Sequence, residues 1–158
     1  MLEKAVNALL FQAGWFICVL GGNSGWLILA LVILLVHWVW RGDGRLMVEA
    51  FIIGLALDSG LMWLNVYDFH PNRWLVPLWL AMLWPLLAMT LRHCLAWTAR
   101  PWWLAAGLGA VAGPVSYYAG GRLAGVDFPH GTGITMAGLA LVWAGVFPAL
   151  QQRATAIE

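Results

Sequence analysis

Apolar residues come in six long blocks, separated by short polar, glycine-rich or proline-marked breaks. The blocks cover residues 5–21, 26–40, 46–67, 74–97, 101–121 and 133–150. Each reads as a helix of membrane-spanning length or close to it. The breaks carry turn chemistry. Gly21 to Gly25 reads Gly-Gly-Asn-Ser-Gly, and Asp68 to Arg73 contains Pro71. Arg41, Asp43 and Arg45 make a polar loop, and the longest break runs from Arg122 to Gly133. Pro77 and Pro85 fall inside the fourth block, where Pro85 is expected to kink the helix. The pattern therefore predicts an all-α, polytopic transmembrane bundle of about six helices, forming one domain over residues 1–158. No internal duplication is evident. Two loops do echo each other, as Asp68-Phe69-His70-Pro71 and Asp127-Phe128-Pro129-His130.

Composition strengthens the membrane assignment. Hydrophobic residues make up 63% of the 158 positions and charged residues 9%, against about 25% charged in soluble domains. A net charge of +1 without a basic run gives no footprint for nucleic acid. Lys4 followed by an apolar run resembles a signal peptide, but Trp15 and Phe16 stand where a cleavage site needs small residues. An uncleaved first span is expected. Placing the N-terminus inside puts Lys4, Arg41, Arg45, Arg92, Arg100 and Arg153 on the inner face and Arg73 and Arg122 outside. That is six of the eight basic residues, so both termini are expected in the cytoplasm. Many tryptophans then fall at the two interfaces, as in an aromatic belt. Trp15, Trp79, Trp84 and Trp143 fall deeper; they could line a ligand cavity, with packing between helices favoured. Cys18 and Cys94 fall near opposite faces and are expected to be free thiols.

The costliest residue is Asp58, near the middle of the third block. A carboxylate there costs roughly 2.5–3.5 kcal/mol on insertion scales, so it must face a partner or a wet cavity. At about 100° per residue, Phe51, Gly54, Asp58 and Asn65 share one helix face, while Glu49 points away. Glu49 is therefore free to snorkel to the inner interface or to pair with an arginine there. Asp58 has Gln12, Ser116 or Tyr117 as candidate interhelical partners. The functional alternative makes it a substrate or proton site. In the fifth block Gly109, Gly113, Ser116 and Gly120 form a small-residue stripe suited to close helix contact. Pro114 disturbs the ladder beside Ser116, Tyr117 and Tyr118.

Asp68, His70, Asp127 and His130 gather acids and imidazoles on the outer loops, ligand types suited to zinc or iron, though their spacing matches no known signature. His37 and His93 lie near the inner face; with the outer pair they give the distribution that two bis-histidine haems would need, but loop histidines lack the rigid support of axial ligands. No hydrolase triad, phosphate loop or metalloprotease signature occurs.

Three segments carry a family resemblance: Asn7-Ala-Leu-Leu-Phe-Gln12-Ala-Gly-Trp15-Phe16, the Asp58 helix, and Pro114-Val-Ser-Tyr117-Tyr118-Ala-Gly-Gly-Arg122. Together they resemble the domain of unknown function 2878 family, small multi-helix proteins of the bacterial inner membrane. The resemblance implies an inner-membrane location and no particular activity. The leading expectation is a protein that binds a lipid or amphiphile in an intramembrane polar cavity and supports envelope lipid modification. Asp58 is its tentative catalytic residue, and Gln12, Asn65, Ser116, Tyr117, Tyr118 and Arg122 would contact the ligand. Arg122 would hold an anionic group. Expected partners are membrane lipids, a membrane or lipid-modifying protein, and a second copy in a homo-oligomer; no cofactor is expected. The alternatives are a small-solute carrier or transporter subunit, a metal or redox enzyme built on the outer Asp and His residues, and a structural subunit.

Overall fold

A computed structural model describes residues 1–69 and 73–157. The helices are α1 (Leu2–Gly21), α2 (Leu27–Arg41), α3 (Gly44–Trp63), α4 (Leu78–Ala81), α5 (Leu83–Leu91), α6 (Trp102–Ala124) and α7 (Thr132–Ala156). A short 3-10 turn, Ala96–Ala99, lies between α5 and α6. Helices α4 and α5 are two parts of one rod, so the bundle has six rods among the described residues. Three helices, α1, α3 and α7, are long and apolar enough to cross a membrane; α2 and the Leu78–Leu91 rod are shorter. The echo between the two loops has a physical counterpart, because Asp68 and Asp127 form an isolated antiparallel backbone bridge.

Several helix boundaries differ from the hydropathy pattern for local reasons. Helix α3 stops at Trp63, not near residue 67. The chain then turns through Asn65, whose φ of 56° is a left-handed conformation that asparagine tolerates better than most residues. Asn65 is consequently exposed and does not extend the Asp58 face. The fourth rod is shorter than 74–97. Pro77 stands just before it, and the break falls at Met82 instead of at Pro85. Pro85 has no N–H to offer the Ala81 carbonyl one turn earlier, so the ladder parts there. At its far end the Thr90 carbonyl accepts from the amides of His93 and Leu95, which turns the chain out of the helix. In contrast, α7 continues to Ala156, past residue 150, through the helix-forming run Gln151-Gln152-Arg153.

Close contacts depend on missing side chains. Gly54 of α3 lies against the Trp84 indole of α5, and Gly113 of α6 against the Trp143 indole of α7; a Cβ at either position would enter the ring. Buried polar groups tie distant segments. Asn7 donates to the Met89 carbonyl (2.9 Å) and accepts from the Cys94 amide (3.3 Å), joining α1 to the end of α5. Gln151 donates to Thr98 Oγ1 (2.6 Å) and the Leu95 carbonyl (3.1 Å). Glu49 pairs with Arg45 (3.0 Å) and Arg153 (2.7 Å), exposed links of small energetic weight. Both cysteines are free.

At the α2–α3 turn the Asp43 carboxylate is buried and meets His37, His93 and Arg92. Burial opposes its ionisation, but the hydrogen bonds from His37 and His93 outweigh that effect and hold the carboxyl down to about 2.

The glycine contacts are testable in one pair of variants. Gly113→Leu is expected to destabilise the fold by roughly 1–3 kcal/mol through overpacking on Trp143. Gly107→Ala, in the same helix with open space around it, should be neutral or stabilising by up to about 1 kcal/mol. Unfolding in detergent micelles reads both; equal effects from the two would refute the packing account.

Candidate functional site

Asp58 is completely buried. Its helix supplies no donor, so partners must come from elsewhere. Tyr67 folds back from the turn after α3 and donates its hydroxyl to Oδ1 (2.8 Å). The early end of α3 is what permits this, because a helix continuing to residue 67 would carry Tyr67 away along its axis. Tyr117, on α6, donates to the same oxygen (2.6 Å). Trp84, on α5, donates its indole N–H to Oδ2 (2.8 Å). Three donors thus converge on the two oxygens of one carboxyl group.

The donors are also structural rings. Trp84 stacks on Trp143 with centroids 5.2 Å apart, and Tyr67 stacks on Tyr117 at 5.8 Å. On their other side lies a cavity of about 700 Å³ with an overwhelmingly apolar lining. It runs from Leu95 and Trp97 at one end to Phe69 and Phe128 at the other. Along α6 its wall extends from Leu108 to Leu123, a rise of roughly 22 Å at 1.5 Å per residue. Volume and apolar lining fall within the usual range of ligand cavities.

The expected site residues divide clearly. Gln12, Ser116 and Tyr117 line the cavity. Ser116 accepts a hydrogen bond from the Trp15 indole (3.1 Å), which joins α1 to α6. Asp58 stands behind the aromatic wall. Asn65, Tyr118 and Arg122 are exposed and do not line the cavity. All four deep tryptophans, Trp15, Trp79, Trp84 and Trp143, are buried and also form its wall. Of the outer-loop candidates, His70 lies outside the described residues. His130 is exposed, and its Nε2–H donates to the Leu64 carbonyl (3.2 Å). Asp68 and Asp127 are joined through their backbones.

Sequence reasoning did not single out Tyr67 or Trp84 as partners of Asp58. Trp84 carried a signal, since a deep indole N–H needs an acceptor and Asp58 is the strongest one nearby. Tyr67 carried none, because its role depends on where α3 ends.

A family model described as a protein of unknown function, DUF2878, matches residues 4–149. The chain belongs to this family. No curated protein and no solved structure matches it. In this DUF2878 chain the three segments that carry the resemblance meet in space. Trp15 of the first bonds Ser116 of the third, and Asp58 of the second bonds Tyr117 of the third.

The network predicts an order of damage. Asp58→Leu strands three buried donors, each worth about 1–3 kcal/mol, and should unfold the protein or nearly so. Asp58→Asn should cost clearly less, because its amide oxygen can accept from Trp84 while the tyrosine hydroxyls rotate to accept from its NH2. Chemical or thermal unfolding in detergent would measure the pair; an Asn variant as damaged as the Leu variant would show that the charge, not the hydrogen-bond pattern, is what matters.

Proposed function

We propose that this chain is a multi-pass inner-membrane protein that holds a lipid or amphiphile in the cavity beside α6, in support of envelope lipid modification. The cavity carries the proposal. Its lining is apolar over roughly 22 Å, more than half of the ~30 Å hydrocarbon core and enough for one leaflet's acyl chain. A polar solute would lose its hydration against such walls, whereas an acyl chain leaving the bilayer exchanges one hydrocarbon surrounding for another, so an acyl chain is the occupant they favour. Polar features on the lining are few. Gln12 and Ser116 offer an amide and a hydroxyl to a head group, while the Tyr117 hydroxyl is turned to Asp58.

The exterior supports the membrane setting. Helix α2 exposes Ile28, Leu31, Val32, Leu35 and Val39 along one face, and Leu141 on α7 is 80% exposed. Water would penalise this surface and lipid would not. The six-rod bundle, with both termini in the cytoplasm, follows the distribution of Lys and Arg. Asp58 acts here as a positioning residue that holds Tyr67, Tyr117 and Trp84 as a wall.

The test is native mass spectrometry of the full chain released from mild detergent. A defined lipid mass on the wild type, lost in Ala112→Phe, is the expected result, because Ala112 lines the cavity and a phenyl ring there would fill it. A bare polypeptide under gentle conditions would argue for a structural subunit, and a water-soluble adduct for a solute carrier. Either would overturn the lipid reading.

A further inference from the structure

The Asp43 cluster lies far from the cavity wall at Asp58: fifteen residues along α3, or roughly 22 Å. Nothing in the lipid reading uses it. Its parts come from three places in the chain: His37 in the last turn of α2, Asp43 in the α2–α3 turn, and His93 in the turn after α5. Both imidazoles aim Nε2 at the same carboxylate oxygen. His37 Nε2 is 2.9 Å and His93 Nε2 2.6 Å from Asp43 Oδ2. The rings are 5.1 Å apart and nearly perpendicular, at 77°. The donor atoms of the three residues all lie within 4.8 Å of one another. Among the described residues this is the one group of three or more such side chains that converges in this way.

We propose that His37, Asp43 and His93 bind one divalent first-row transition-metal ion, through two imidazole nitrogens and one carboxylate oxygen. The ligand types select the class. Two nitrogens disfavour calcium and magnesium, which take oxygen. A two-histidine, one-carboxylate set suits zinc or ferrous iron and leaves a coordination position open. The spacing is close to what an ion needs. Bonds of about 2.0–2.1 Å at tetrahedral angles set ligand atoms roughly 3.3 Å apart. The observed pairs must therefore open by less than about 1 Å, and His93 sits on a turn where a small shift is available. Its side chain is 18% exposed, which gives the ion a way in, whereas those of His37 and Asp43 are 1% exposed.

One further contact fits the role. Arg92 Nη1 donates to Asp43 Oδ1 (3.0 Å), the oxygen that faces neither imidazole, and so fixes the carboxylate while leaving Oδ2 for an ion.

The experiment uses the full chain in detergent, carrying no histidine tag and stripped with a chelator. It is reloaded separately with zinc, cobalt(II) and ferrous iron, desalted, and assayed for metal. About one ion per chain is expected for at least one metal, with cobalt giving visible d–d bands. His93→Gln and Asp43→Asn should each weaken binding by about tenfold or more, and His130→Gln should leave it unchanged. If the variants do not fold, X-ray absorption of the zinc-loaded wild type decides: two imidazoles with oxygen in the first shell support the site, and sulfur or fewer imidazoles overturn it. Wild-type protein that retains none of the three metals would reduce the cluster to a hydrogen-bonded brace, as would full retention in both folded variants.

Discussion

A carboxylate with no exposure to solvent sets the terms for the upper half of this bundle. Asp58 has to be satisfied by donors, and α3 cannot supply them. They come instead from three segments that hydropathy alone would leave free to rotate: the turn after α3, α5 and α6. Once Trp84 and Tyr117 must point at Asp58, the faces of α5 and α6 are fixed. Gly54 then has to be a glycine, because Trp84 crosses α3 at that level. Trp143 stacks on Trp84, which in turn seats α7 against the glycine face of α6. The cavity is the space left in front of these rings.

Much of this was legible in the chain, and the illegible part has a common cause. Apolar blocks located the helices, and the cost of burying Asp58 marked it as a residue needing partners. The pairing of Glu49 with arginine and the close helix contact at Gly109 and Gly113 follow from spacing, and both are present. What spacing does not carry is where a helix stops inside an apolar run. Leu64-Asn65-Val66-Tyr67 is apolar enough to continue α3, and only the left-handed tolerance of Asn65 hinted at a turn. That one boundary decides whether Tyr67 reaches Asp58. Pro85 was visible too, but a proline perturbs the carbonyl one turn before it, so the break lies at Met82.

The Asp43 cluster was hidden for a different reason. Arg41, Asp43 and Arg45 look like an ordinary charged loop. His37 is separated from Asp43 by six positions and His93 by fifty. Local pattern holds no information about a contact fifty residues away. The available signal was His37 itself, a lone imidazole ending an aliphatic helix, fully buried although many of its apolar neighbours are exposed.

The two buried acids solve the same problem with opposite consequences. Asp58 is enclosed by phenols and an indole, groups that donate but whose rings are large and apolar. Its polarity is therefore spent internally, and the rings present an apolar surface to the cavity. An occupant would meet hydrocarbon-like walls with Gln12 and Ser116 as polar handles, not the carboxylate. Asp43 is enclosed by a guanidinium, which donates to it, and by two imidazoles, compact rings whose nitrogens can either donate to it or share an ion with it. One carboxylate thus stiffens a wall, and the other holds a set of ligands together. The choice of neighbouring ring, phenol and indole in one case and imidazole in the other, is what separates the two roles.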